Sequence, residues 1–137
     1  MRNLYFSPVF LLFTFYLNAQ VTERIPVQII DIENKISEVY KNEITNLEAD
    51  RITFIKFLLT DRIAFYKEKN TAQDKYTKLS EVTLYNKYNP DLKRDLTFDP
   101  STFNPLKYNF NFYSQFTQVY RVDNSDIIIV IESQKRK

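Results

Sequence analysis

Hydrophobic and polar positions alternate most regularly in the last third of the chain. Every second residue from 106 to 112 is apolar, which is the period of a strand with one buried face. Residues 118–123 predict a second strand, and residues 127–131 are apolar on both faces, which predicts a central strand covered on each side. Together these segments predict a three-strand meander at the C-terminal end of the chain.

A tight hairpin is predicted between the last two strands. The Asn-Ser dipeptide at 124–125 suits a two-residue turn, because asparagine tolerates a positive φ. Such a turn fixes the register, since it places Val122 opposite Ile127 and Tyr120 opposite Ile129. Val122 and Tyr120 are then expected to point into the core.

A helical period runs through the first half of the chain. Residues 36–59 contain neither proline nor glycine, and apolar side chains recur every three or four positions from Ile36 to Leu47. The spacing slips after Ala49, which indicates either one kinked helix or two abutting helices. A strand over residues 51–58 is the other interpretation of the same segment.

Strand-forming composition follows this helical segment. Residues 62–68 are rich in β-branched and aromatic side chains and predict a strand, and residues 80–85 predict a weaker one. The predicted fold class is therefore α+β, with a long N-terminal helix packed on a small antiparallel sheet that ends in the three-strand meander.

Three Asx-Pro steps lie close together, at 89–90, 99–100 and 104–105. Proline fixes φ, and the Asx side chain can bond the backbone two residues on, so these steps begin turns without glycine. Two phenylalanines are expected to anchor successive turns on the core. The predicted structural turn consists of Phe98, Asp99, Pro100, Phe103, Asn104 and Pro105.

The N-terminal segment is typical of an export signal. Arg2 precedes an apolar run at 4–17, and Ala19 is a small residue at a cleavable position. The run is shorter than the about 20 residues of a spanning helix, so residues 1–19 predict a cleaved signal peptide rather than a retained membrane anchor. Residues 20–137 are then expected to form a single α+β domain with no stable membrane span. Because no cysteine is available for lipid attachment, we expect a secreted or periplasmic protein.

Four residue types with important chemistry are missing from the sequence, namely cysteine, histidine, tryptophan and glycine. Histidine is the commonest general base and metal ligand, and glycine is needed by phosphate-binding loops and by the G-x-S-x-G turn. The formal net charge of +2 does not provide the clustered positive charge that binding of a nucleic acid requires. No metal, cofactor or nucleic acid is therefore expected.

Carboxylates are the remaining candidates for acid–base chemistry. Asp91, Asp95 and Asp99 recur every four residues, and two carboxyls with different pKa values can hydrolyse glycosides. A small hydrolase of cell-wall or polysaccharide substrates is therefore one alternative function. A structural role is favoured, because Asp99 precedes a proline where an Asx turn begins. The acidic segment at 123–126 is likewise interpreted as a hairpin turn rather than a calcium loop, and no catalytic residue is expected.

Aromatic side chains are the last candidates for a functional surface. The chain contains 10 tyrosines and 12 phenylalanines, most of which are expected to fill the core. Tyr113 and Phe116 lie at the first turn of the predicted meander and are expected to be exposed, where aromatics mark interfaces. This pair is the predicted binding site. A glycan- or small-ligand-binding module, with a pocket floored by tyrosines, is a further alternative.

Residues 87–132 resemble those of known exported proteins. The FNPLKY turn, the YRVD strand and the isoleucine-rich strand after it are similar to those of an uncharacterised family of small exported bacterial proteins. The resemblance implies a secreted or periplasmic location and transfers no catalytic residue. Export, the missing catalytic residue types and the aromatic surface favour a non-enzymatic interaction or structural module of the bacterial envelope. Its expected partner is another envelope or secreted protein.

Overall fold

The computed structural model describes residues 22–69 and 75–134 of the chain. The fold of this part is α+β, with two α-helices and one five-stranded sheet. The predicted signal peptide, residues 1–19, lies outside the described residues. Within the two described ranges, no helix has the length and apolar character needed to cross a membrane.

The sheet has the strand order β1-β2-β5-β4-β3. All neighbouring strands are antiparallel except β3 and β4, which are parallel, so the sheet is mixed rather than purely antiparallel as predicted. The five strands are β1 Thr22–Ile25, β2 Ile63–Glu68, β3 Thr77–Lys78, β4 Gln118–Arg121 and β5 Ile127–Ile131.

The C-terminal hairpin follows the register predicted from its turn. Tyr120 lies opposite Ile129, and the backbone N–H of Val122 donates to the carbonyl oxygen of Ile127 at 3.0 Å. Asn124 has φ 52°, in the left-handed region that asparagine tolerates. Strand β5 occupies the centre of the sheet, as its two apolar faces predicted.

The helical segment forms two helices, one of the two alternatives that the slip in its period indicated, and not the one long helix of the predicted fold class. Helix α1 spans Ile32–Tyr40, a 3-10 helix spans Lys41–Asn46, and helix α2 spans Ala49–Phe57. Lys41 has φ 48° and ψ −131°, a conformation that an α-helix cannot continue, and its backbone N–H donates to the carbonyl oxygen of Ser37. The strand interpretation of residues 51–58 is wrong. The helical pair is also not N-terminal in the described chain, since β1 precedes it.

The predicted meander is not confirmed, because its first strand is absent from the sheet. Pro105–Lys107 forms a 3-10 turn instead, started by Asn104, whose side-chain oxygen accepts from the N–H of Leu106 at 3.2 Å. Tyr108 then makes only an isolated antiparallel bridge with Leu84. The alternation of residues 106–112 therefore reflects aromatic side chains directed into the core from an irregular segment.

One hydrophobic core joins the helices, the sheet and the turn segment. Alternate residues of the central strands, Phe65 of β2 and Ile129 and Ile131 of β5, face this core and are fully buried. Helix α1 contributes Ile36 and Val39 from one side of its surface. The strand residues between these positions point to the opposite face of the sheet, where the candidate site lies.

Candidate functional site

The predicted structural turn lies against the hydrophobic core. Phe103 is only 2% exposed, and its ring lies near those of Phe98, Phe65 and Tyr108, with centroids 4.9, 6.0 and 5.3 Å away. Asp99 begins an Asx turn, since its Oδ1 accepts from the hydroxyl of Ser101 at 2.7 Å and from its backbone N–H at 2.9 Å. These two hydrogen bonds lower the pKa of the Asp99 carboxyl.

Asn104 connects this turn to helix α1. Its buried side-chain amide donates to the carbonyl oxygen of Lys35 at 2.9 Å and to Oε2 of Glu38 at 2.8 Å. Pro105, fully buried beside it, fixes the backbone at the start of the 3-10 turn. The Asn-Pro step therefore performs two structural tasks, as a turn former and as a link to α1.

We expect Asn104→Ala to lower the free energy of unfolding by about 1–3 kcal/mol, because the substitution leaves the buried carbonyl oxygen of Lys35 and the buried N–H of Leu106 without their side-chain partner. Urea unfolding followed by circular dichroism measures the change. Asn109→Ala is the matched control, since the exposed amide of Asn109 also donates two hydrogen bonds, to Thr83 and Leu84. The control should stay within about 0.5 kcal/mol of the parent protein. Equal losses in the two variants would show that Asn104 has no special role.

The three aspartates considered for hydrolysis are all exposed. Asp91, Asp95 and Asp99 lie on the surface of the turn segment, and Asp95 forms an ion pair with Lys107 at 2.7 Å. Asp99 has a lowered pKa, the opposite of what a general acid requires. These positions give no support to the hydrolase alternative. The Asp123 carboxylate accepts from the hydroxyl and the backbone N–H of Ser80 and thus links two loops.

Tyr113 and Phe116 are both on the surface, with 59% and 78% of their area exposed. The ring of Tyr113 stacks on that of Phe54 in α2, with centroids 5.2 Å apart and an angle of 7° between the planes. Phe116 follows Gln115, which lines a nearby cleft. The structure therefore places the predicted pair beside a concave surface rather than at the turn of a meander.

This cleft has a volume of about 820 Å³ and lies on the sheet face opposite the main core. It is bounded by α2 and the π-helical turn Leu58–Arg62 that follows it, by strands β1 and β2, and by the residues after β5. Its volume lies within the range of about 300–1,000 Å³ typical of ligand pockets. The lining combines aromatic, charged and amide side chains, and consists of Arg24, Phe54, Phe57, Asp61, Arg62, Ala64, Tyr66, Gln115, Glu132, Ser133 and Gln134.

Arg62, at the end of the π-helical turn, is the most unusual residue of the cleft. Only 4% of its surface is exposed. Its Nε donates to the carbonyl oxygen of Glu132 at 3.1 Å, and its Nη2 donates to the carbonyl oxygens of Glu132 and Phe112, both at 2.8 Å. Nη1 is buried and has no hydrogen-bond partner among the residues described. Burial lowers the pKa of the guanidinium, although the charge of Glu132 opposes this effect.

A smaller pocket of about 140 Å³ lies on the other side of Phe54 and is rich in tyrosines. Burial raises the pKa values of Tyr40, Tyr85 and Tyr108 in its wall, so their hydroxyls stay neutral at physiological pH. This lining matches the tyrosine-floored pocket expected of a glycan-binding module. Its volume is below the range of about 300–1,000 Å³ for ligand pockets, so the larger cleft is the better candidate.

Arg62, Phe54 and Phe57 were not among the sequence-predicted site residues. A signal for Arg62 was present, because the alternation of residues 62–68 places Arg62, Ala64 and Tyr66 on one face of the predicted strand. The two phenylalanines gave no such signal, since they lie off the apolar stripe of the helical segment. Their role depends on how α2 packs beside the sheet, which no local pattern specifies.

Comparison of the chain with protein-family models, with curated proteins and with solved structures found no match.

Proposed function

We propose that the protein is an exported, non-enzymatic module of the bacterial envelope that binds another exported protein. The binding surface is an aromatic rim made of Phe57, which lines the 820 Å³ cleft, and of the exposed Tyr113 and Phe116, which adjoin its lining residues Phe54 and Gln115 without lining it themselves. The N-terminal sequence supports export, with a short charged start followed by an apolar run. The proposed partner is an envelope or secreted protein.

The arrangement of exposed aromatics beside the cleft carries this proposal. Phe57 lines the cleft and is 52% exposed, Tyr113 stacks on the cleft residue Phe54, and Phe116 adjoins Gln115. Aromatic side chains around a concave surface are enriched at the centres of protein interfaces, where they bury a large area at small entropic cost. A polar border is provided by Gln115, together with Ser133 and Gln134.

Site-specific photo-crosslinking tests the proposal in the processed protein in its own host. Phe116→p-benzoylphenylalanine is expected to give one adduct of fixed mass with a second exported protein. Leu96→p-benzoylphenylalanine is the matched control, because Leu96 is a fully exposed apolar residue that, unlike Phe116, does not adjoin a cleft residue in the sequence. The adduct should weaken when Tyr113→Ala is added, since half-exposed Tyr113 belongs to the same rim.

Two outcomes would contradict the proposed function. The same set of adducts from positions 96 and 116 would indicate non-specific contact. No adduct from position 116, in a protein that is processed and folded, would show that the aromatic rim is not an interface. Binding of a small molecule in the cleft is the second candidate function, supported by the volume of the cleft.

A further inference from the structure

Arg62 carries a positive charge that forms no ion pair with an acidic side chain in the described part of the chain, and the carboxylate of Glu132 acts on it only from beyond contact distance. The four ion pairs found there involve Lys56, Lys107 in two pairs, and Arg121, and none involves Arg62. Its neighbours are instead two backbone carbonyl oxygens and the ring of Phe54, which lies 5.9 Å from Cζ. A buried charge without a counter-ion is costly, so the site gains free energy when an anion approaches it.

The cleft also holds two carboxylates, but these differ from Arg62 in solvation. Asp61 and Glu132 are exposed, and Asp61 already accepts a hydrogen bond from the Thr60 hydroxyl at 2.5 Å. Water screens exposed charges strongly, whereas the 4% exposed Arg62 acts through a less polar medium. A single negative charge beside Arg62 is therefore attracted more strongly than it is repelled. A ligand with several negative charges would be repelled by Asp61 and Glu132.

The rest of the lining indicates what the anion is attached to. Phe54, Phe57 and Tyr66 form apolar walls, and Arg24 offers a second, exposed guanidinium on the same sheet face. Hydrogen bonds from a guanidinium to a carboxylate are strong because both groups are charged, and Nη1 is the nitrogen of Arg62 that backbone carbonyls of the described residues do not already occupy. Apolar walls favour an aromatic or aliphatic body. A single carboxylate on an apolar body matches this lining better than a phosphate does, because Asp61 and Glu132 oppose a dianion.

We infer that the cleft binds a monocarboxylate with an aromatic or apolar body, anchored by Arg62. The inference rests on the proposed function where the carboxylate is the C-terminus of a partner protein. A free aromatic acid carries the same chemistry, and the two sources are separated by experiment. In both cases the carboxylate lies beside the guanidinium of Arg62, and the body lies against Phe54 and Phe57.

Matched pairs of probes test the carboxylate directly. Phenylacetate and phenylacetamide have nearly the same shape, but the amide replaces the charged carboxylate with a neutral group in which NH2 stands for one oxygen. The same holds for acetyl-Ala-Ala-Ala-Trp with a free carboxylate and the same peptide with a C-terminal amide. The chain contains no tryptophan, so fluorescence anisotropy of the peptide reports binding without background. Each acid is expected to bind about tenfold more tightly than its amide, as expected for one charged hydrogen-bonded contact. Preference for the peptide acid over phenylacetate indicates a partner's C-terminus, and the reverse indicates a free acid.

Two substitutions locate the contact. Arg62→Gln should abolish the difference between acid and amide, whereas Glu132→Gln should tighten binding of the acid alone, because it removes an opposing charge. The Glu132 substitution keeps the backbone carbonyl that holds Arg62 and therefore tests the site even where Arg62→Gln fails to fold. Equal binding of acid and amide, no binding of either acid at millimolar concentration, or an unchanged preference in folded Arg62→Gln would overturn the inference.

These results are separable from those that test the proposed function. A specific adduct at position 116 without any acid preference contradicts the carboxylate site and leaves the protein interface in place. A clear acid preference without an adduct at position 116 supports the carboxylate site and contradicts the protein interface.

Discussion

Replacing Phe103 with alanine is expected to lower the free energy of unfolding by about 3–5 kcal/mol, the range found for large aromatic side chains removed from a core. Phe103 is 2% exposed and lies at the centre of an aromatic cluster. Its ring contacts Phe98 on one side and stacks on Tyr108 on the other, with Phe65 of β2 packed edge-on against it. The substitution therefore opens a cavity where the turn, the sheet and the following segment meet.

Denaturant unfolding measures this effect, and Phe116→Ala is its control. Phe116 is the same residue type but 78% exposed, so its replacement should change stability by less than about 0.5 kcal/mol. A similarly small loss for Phe103→Ala would contradict its role as the anchor of the turn. It would also imply that the segment is held by the Asn104 hydrogen bonds rather than by packing.

The elements that the sequence predicted well are those determined by local physics. The Asn-Ser turn specified the register of the last hairpin, because a two-residue connection allows only one pairing of Tyr120 with its neighbour. The apolar run at 127–131 identified the central strand, since only a strand covered on both faces is apolar throughout.

The elements that the sequence predicted badly depend on competition between segments. Residues 106–112 have the period of a strand, yet Pro105 and Asn104 begin a 3-10 turn and β4 pairs with β3 instead. The helix break at Lys41 was equally hidden, because a lysine with φ 48° leaves no compositional signal in a chain without glycine.

The candidate site shows the same division. Exposure of Tyr113 and Phe116 followed from their place beside a turn, but the cleft next to them is built by elements distant in sequence. The cleft forms where three elements meet, namely helix α2, strand β1 and the residues after β5. The strand order brings β1 and β5 to the two sides of β2. The burial of Arg62 also depends on how these elements pack. The alternation of residues 62–68 could therefore indicate which face of the sheet Arg62 lies on, but not that it forms no ion pair within the described residues.

Replacing Glu68 with alanine is expected to destabilise the protein by about 3–5 kcal/mol, because it leaves the buried charge of Arg121 without its ion-pair partner. Glu68 and Arg121 form an ion pair at 2.6 Å in which both side chains are only 4% exposed. The hydroxyl of Tyr76 donates to the other carboxylate oxygen at 3.1 Å, and the Arg121 guanidinium lies over the Tyr76 ring. Without Glu68, the arginine would keep its charge with no counter-ion among these neighbours.

The double variant Glu68→Ala/Arg121→Met removes both charges. Its stability therefore separates the cost of leaving Arg121 unpaired from the net contribution of the ion pair. The cost of burying an ion pair nearly cancels the attraction between its charges, and Nε and Nη1 of Arg121 have no hydrogen-bond partner among the described residues. The double variant should therefore be more stable than Glu68→Ala alone. Glu33→Ala is the surface control, since Glu33 pairs with Lys56 while 76% exposed, and it should cost no more than about 1 kcal/mol.

The comparison also bears on Arg62, which is as buried as Arg121 but forms no ion pair within the described residues. If Glu68→Ala lowers the free energy of unfolding by several kcal/mol, a buried arginine without an ion-pair partner is strongly destabilising on this sheet face. Arg62 then destabilises the fold to a comparable extent, which its hydrogen bonds to backbone carbonyl oxygens only partly offset. An acid that binds the cleft would then stabilise the fold as well as fill the site. A loss below about 1 kcal/mol for Glu68→Ala would show that the face is well solvated, and the attraction of Arg62 for an anion would be correspondingly weak.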